Sequence, residues 1–126
     1  MRRFTLFLAF AMALGFGSAA ADKVSALDIS ALAGVWQGSL KVGSVSLRIV
    51  FNVEMRDGVL RATMDSPDQG AKGLPVSKVS FADSRAIFEL KAISGAYEGT
   101  LSADCARLDG IWRQTGSEFP LILEKM

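Results

Sequence analysis

The chain has 126 residues, half of them apolar, with 14 basic and 13 acidic side chains and no histidine. Without imidazole, a serine or cysteine nucleophile lacks its usual base and a zinc site one of its main ligands. The charge is nearly balanced and forms no basic stripe or arginine cluster, so nucleic acid is not an expected partner.

The first residues carry the pattern of a secretory signal. Arg2 and Arg3 precede an uncharged apolar stretch from Phe4 to Phe16, and Ser18, Ala19, Ala20 and Ala21 supply small residues for cleavage. The stretch is shorter than the roughly 20 residues a spanning helix needs. Residues 1–21 are therefore read as a signal peptide removed after Ala21, not as a retained anchor. Phe4-Thr5-Leu6 fits twin-arginine export poorly, so general secretion to the periplasm or medium is expected. Removal takes two arginines and no acid, which moves the formal charge from +1 to −1. Residues 22–126 are one domain's worth of chain, and no later stretch is long and apolar enough for a membrane-spanning helix.

Residues 22–33 read as a short helical lead-in, with Asp28 as a cap and Ile29 and Leu32 facing inward. From residue 34 to 126 the apolar period is two, the mark of half-buried strands. The first strand puts Trp36, Gly38, Leu40 and Val42 on one face. The second alternates Val45, Leu47, Ile49, Phe51 and Val53 with polar neighbours. Asp57-Gly58 is a strong two-residue hairpin signal, since both positions need positive φ. The third strand has Leu60, Ala62 and Met64 inside.

A long connection follows from Asp65 to Pro75, where proline and glycine argue against a regular strand. Four more strands continue the alternation: a short one with Val79 and Phe81 inward, then Phe88 and Leu90, then Tyr97, Gly99 and Leu101, then Leu108, Gly110, Trp112 and Gln114. The last has Phe119, Leu121 and Leu123 inside, and its Pro120 suggests a bulge or an unpaired N–H.

Eight strands joined mostly by tight turns make sequence neighbours antiparallel neighbours in space. The fold class expected is all-β, an eight-stranded antiparallel up-and-down barrel whose closure removes both sheet edges. A two-sheet sandwich is the alternative, and it would need more long crossovers than the chain offers. Glycines two residues from inward aromatics give a coiling strand room to bend and leave space for a ring to cover the gap.

Gly34-Val35-Trp36-Gln37-Gly38-Ser39-Leu40, Asp65-Ser66-Pro67-Asp68-Gln69-Gly70-Ala71, Leu74-Pro75-Val76, Tyr97-Glu98-Gly99-Thr100-Leu101 and Gly110-Ile111-Trp112-Arg113-Gln114 together resemble a lipocalin-like β-barrel domain. That domain occurs at the N-terminus of exported bacterial α/β-hydrolases and β-lactamase-related serine hydrolases. The resemblance spans roughly residues 32–124 and implies a free-standing form of the accessory barrel. The hydrolase chemistry of those enzymes belongs to a separate domain, so no catalytic residue carries over. Cys105 departs from the pattern, in a turn where glycine or a polar residue is expected.

The candidate ligand-binding residues are the inward aromatics Trp36, Tyr97 and Trp112, with Gln114 beside them and Asp65, Asp68 and Gln69 at a mouth. The aromatics either line a cavity or simply fill the core, because eight strands enclose little more than their own side chains. The acidic loop either binds a polar ligand or does ordinary turn chemistry, and its spacing is not that of a calcium loop. Gln114 needs a partner if buried, or else lies at the rim. Cys105 cannot form an intrachain disulfide; it is a turn residue or a free thiol. Outward Val50, Val59, Ile87, Ile111 and Ile122 would mark a docking surface if gathered into one patch.

The function expected is a non-catalytic exported barrel that binds a small apolar molecule or serves as an accessory domain. The alternative is an interaction module docking onto a separately encoded periplasmic serine hydrolase or onto a second copy. No metal, cofactor or membrane span is implied for the mature chain.

Overall fold

A computed structural model describes residues 29–126. The signal-peptide reading over residues 1–21, the Asp28 cap and most of the lead-in fall outside the described residues. What is described of the lead-in is one helical turn, in which the Leu32 and Ala33 N–H groups donate to the Ile29 and Ser30 carbonyls.

The rest is all-β. Nine strands follow: β1 (Gly34–Val42), β2 (Val45–Arg56), β3 (Val59–Ser66), β4 (Ala71–Pro75), β5 (Lys78–Ala82), β6 (Arg85–Leu90), β7 (Gly95–Leu101), β8 (Arg107–Gln114) and β9 (Ser117–Lys125). They build one antiparallel sheet in the order β4-β3-β2-β1-β9-β8-β7-β6-β5. The hairpin reading of the turns holds: Asp57 and Gly58 have φ of 53° and 77°, and Thr115 and Gly116 have 45° and 84°. Burial alternates most clearly along β6 and β7, where every second residue is buried.

Two expectations are corrected. The connection after Asp65 is not free of strand. Pro67–Gln69 form a 3-10 turn closed by Gly70 in the left-handed region, and Ala71–Pro75 then pair with β3. Proline and glycine are tolerated there because β4 is an edge strand that pairs on one side only, with a register shift between Met64 and Ser66. The sheet is also not a closed eight-stranded barrel. It curls into a half-barrel in which the first and last strands of the chain pair, and β4 and β5 remain as edges.

The reason lies in how β4 and β5 run. β4 is antiparallel to β3 and β5 is antiparallel to β6, so the two point the same way and follow one another along one path. The chain changes partner between them. The Val76 N–H donates to the Ala62 carbonyl on β3, and the Ser77 N–H donates to the Glu89 carbonyl on β6. One bent run thus serves both flanks in turn. Both edge strands are five residues long, and Lys72, Pro75 and Lys78 on them oppose edge-to-edge association.

Pro120 makes no bulge; it stays in register with Ile111, in a part of β9 that β1 does not pair with. Gly38 and Gly110 sit where strands approach closely. A methyl group on Gly110 would run into the Glu98 carbonyl oxygen, and one on Gly38 into the Ile122 carbonyl oxygen, so only glycine lets the sheet coil there.

The interior is filled in its middle and plugged at one end. Phe51 and Phe88 pack with ring centroids 4.7 Å apart, and Tyr97 lies about 6 Å from both. At the end where β1 begins and β9 finishes, Leu32 and Trp36 are both fully buried in the core. Among the described residues no helix is long and apolar enough to cross a membrane.

Candidate functional site

The opposite end of the half-barrel is an open cup of about 390 Å³. Its floor is Leu40, Ile49, Met64 and Trp112, all buried. Its walls are Leu47 from β2, Leu74 from β4, Phe119 from β9 and Ile93 from the 3-10 turn between β6 and β7. Gln69, Gln114, Thr115 and Ser117 stand at the mouth, and no ionisable side chain lines it. A wider depression of about 810 Å³ at the plugged end is bordered by Glu54, Arg56, Arg61 and Lys78. The cup, with an apolar floor and a few polar groups converging at its opening, has the make-up of a small-molecule site.

Curvature assembles this site. Inward positions near the ends of several strands converge only because the sheet coils. Trp112 is seated by a missing side chain: a Cβ on Gly95 would lie 2.7 Å from the indole edge, so the ring rests over bare backbone of the neighbouring strand. The Trp112 Nε1–H donates to Gln114 Oε1 at 3.2 Å, and Gln114 Nε2 donates to the Ile93 carbonyl at 3.0 Å. Gln114 therefore has partners and stands at the rim, holding the Trp112 ring and the Ile93 turn to each other.

Across the mouth, Ser66 is buried and its hydroxyl donates to Gln69 Oε1 at 2.6 Å. The Ser-x-x-Gln spacing is the sequence signal for this pair. It resembles a capping box, yet the serine here bonds the glutamine side chain and makes no side-chain cap.

The other candidate residues lie elsewhere. Trp36 is at the plugged end, where its Nε1–H donates to the Leu32 carbonyl at 2.8 Å. Tyr97 is in the filled middle, and its hydroxyl donates to the Leu121 carbonyl at 2.8 Å. Burial, assisted by the charge of Asp109, pushes the phenol well above its usual range, so it stays protonated and donating. Asp65 and Asp68 hold the loop. Asp65 accepts from the Gly73 N–H at 2.7 Å and from Asn52 Nδ2 at 3.1 Å, and Asp68 accepts from the Arg48 N–H at 2.7 Å. The Gly73 N–H chiefly, with the Asn52 amide and Lys72, holds the Asp65 carboxyl below the usual carboxylate range against the opposing effect of partial burial.

Of the seven candidates the cup thus brings together Trp112, Gln114 and Gln69. Leu74 and Ile93 carry no period-two signal, because one lies in the edge strand β4 and the other in a turn. Among the described residues no cluster of three or more cysteine, aspartate or glutamate side chains is placed to hold a metal ion. The outward aliphatics gather only in part: Ile111 lies opposite Pro120 with Ile122 diagonal to it, Ile87 is one strand beyond Glu98, and Val50 and Val59 are on other strands.

Comparisons with protein-family models, with curated proteins and with solved structures return no match.

Proposed function

We propose that this chain is a non-catalytic, exported binding module that takes up a small apolar molecule in the cup. The observation that carries the reading is an apolar, buried floor with two positioned amides at its opening. A lining of aliphatic and aromatic groups without an acid or base supports binding over turnover. Export rests on the N-terminal charge and apolar pattern, and the likeness to a hydrolase accessory barrel on the motifs quoted above. Both belong to this proposal.

The test is thermal unfolding of the purified protein with and without a panel of lipophilic dyes, read together with Trp112 emission. A ligand at a hundred times its Kd adds about 2.7 kcal/mol of stability, so a clear rise in Tm is expected. No shift with any probe, and no molecule co-purifying with the protein, would overturn the reading.

A second reading is docking onto a separately encoded periplasmic hydrolase. Ile111, Pro120 and Ile122 favour it as neighbours on the outer face, with Ile111 37% and Ile122 41% exposed. Pull-down from periplasmic extract with the native chain and with Ile111→Lys checks this; an identical set of captured proteins counts against it.

A further inference from the structure

The chemistry of the mouth narrows the ligand class, on the premise that the cup is a binding site. Gln114 is fixed in orientation by its partners. The Trp112 indole can only donate and the Ile93 carbonyl can only accept, so the amide oxygen must face the one and the amide nitrogen the other. One Nε2 hydrogen of Gln114 is left over.

Gln69 is oriented by a similar argument. The Ser66 hydroxyl is buried and donates to Gln69 Oε1. Turning the amide round would make the serine oxygen an acceptor and deprive the hydroxyl proton of its Gln69 acceptor, and a buried donor without an acceptor is the costlier defect. The Gln69 Nε2 group therefore stays available, with no hydrogen-bond partner among the described residues. Two amides thus bring N–H donors to one opening, and no carboxylate or ammonium lines it.

We infer that the cup takes a neutral amphiphile: an apolar chain or ring of about a dozen non-hydrogen atoms, at roughly 30 Å³ each, ending in a carbonyl-class acceptor such as an ester or amide. A carboxylate would meet no facing cation and an ammonium no facing carboxylate, so neither charge is compensated at the cup. Gln69 is the head-group contact. Gln114, with both ends of its amide already engaged, is a positioning residue for Trp112.

The experiment compares methyl decanoate, decanoate, decylammonium and decane by titration of the purified full chain, followed by Trp emission and calorimetry. Methyl decanoate is expected to bind tightest, by about tenfold over either charged analogue, the scale of one hydrogen bond gained or left unpaired. In Gln69→Leu its advantage over decane disappears while the tail still binds. In Gln69→Glu the preference moves to decylammonium. Gln69 is exposed, so both variants are expected to fold, and near-UV circular dichroism verifies it. Equal or tighter binding of decanoate or decylammonium to the native chain, or an ester preference that survives in Gln69→Leu, overturns the head-group assignment and leaves the cup as a binding site. Binding of none of the four overturns the binding reading itself.

Discussion

The Trp36 indole nitrogen donates to the Leu32 carbonyl at 2.8 Å, and both side chains are fully buried in one core, so a residue of the lead-in bonds the first strand's tryptophan and shares its burial. Lys125 tightens the same place. Its Nζ donates to the Ala31 carbonyl at 2.9 Å and sits 5.2 Å from the Trp36 ring centroid. The plug is thus built from both ends of the described chain, where β1 pairs with β9. Leu32→Ala removes a fully buried leucine and is expected to cost about 2–4 kcal/mol in urea unfolding. Trp36→Phe keeps an aromatic ring but gives up the hydrogen bond, for about 1–2 kcal/mol plus any volume change. Neither change is expected to alter binding at the cup, which lies at the other end. A loss under about 1 kcal/mol for Leu32→Ala would show that the turn rests on the sheet without stabilising it.

At the cup the decisive change is Gln114→Leu. It leaves two buried or half-buried polar groups, the Trp112 indole N–H and the Ile93 carbonyl, without their shared partner. The expected loss is about 1–3 kcal/mol, with a shift of Trp112 emission as the ring is freed from the rim. Gln114→Glu separates the two bonds. A carboxylate still accepts from the indole but, when ionised, repels the Ile93 carbonyl. The variant is therefore expected to regain stability as pH falls and the acid becomes able to donate. Identical emission spectra for the native chain and Gln114→Leu would mean that the glutamine does not position the ring.

Much of the fold is legible in the sequence and the site much less so. Eight of the nine strands show as period-two alternation, because one face of each is dry and the other wet. β4 does not, since Gly73 and Pro75 carry the signals of a loop and only an edge position makes them compatible with pairing. Closure is not legible for a related reason. Local pattern marks a short strand around Val79 and Phe81, yet it does not show that Val76 and Ser77 change partner from β3 to β6. Alternation shows that the aromatics Trp36, Tyr97 and Trp112 point inside, where all three are buried, but it does not tell depth along the sheet's axis. Depth is what separates Trp36 under the plug and Tyr97 in the middle from Trp112 at the cup. Asp65 and Asp68 stood out by composition, and their carboxylates are occupied with backbone N–H groups.

Asp65 gives the fold a pH dependence whose sign follows from its partners. Its folded-state pKa is lowered from 3.8. A depressed carboxylate contributes stability that is present above its unfolded pKa and lost as pH falls through the folded value. Asp65→Asn keeps an acceptor for the Gly73 N–H but loses the charge. The native chain is therefore expected to exceed the variant by about 1–2 kcal/mol near neutral pH. The gap should stay level down to about pH 5 and close below about pH 4 as Asp65 takes up its proton. Urea midpoints at several pH values check this, and a gap that widens in acid would contradict the assignment.

Cys105 inverts an ordinary rule. It sits at φ 61° in the turn between β7 and β8, its N–H donating to the Ser102 carbonyl at 2.9 Å, while the Asp104 carboxylate and the Ser102 hydroxyl accept from the Ala106 and Arg107 N–H groups that follow it. That conformation is strained for any residue with a Cβ and free of strain for glycine. The side chain is only partly buried against the core, so its packing is worth less than that of a core residue. Cys105→Ala keeps the strain and loses the sulfur contacts, and it is expected to destabilise by up to about 1 kcal/mol. Cys105→Gly loses the same contacts but relieves about 1 kcal/mol of backbone strain, which leaves it close to the native chain. Glycine should therefore outperform alanine here, although alanine is the better residue at most strand and helix positions. Thermal melts of the two variants under reducing conditions decide the order, and an alanine variant melting above the glycine one would show that the turn does not hold residue 105 in the left-handed region in solution.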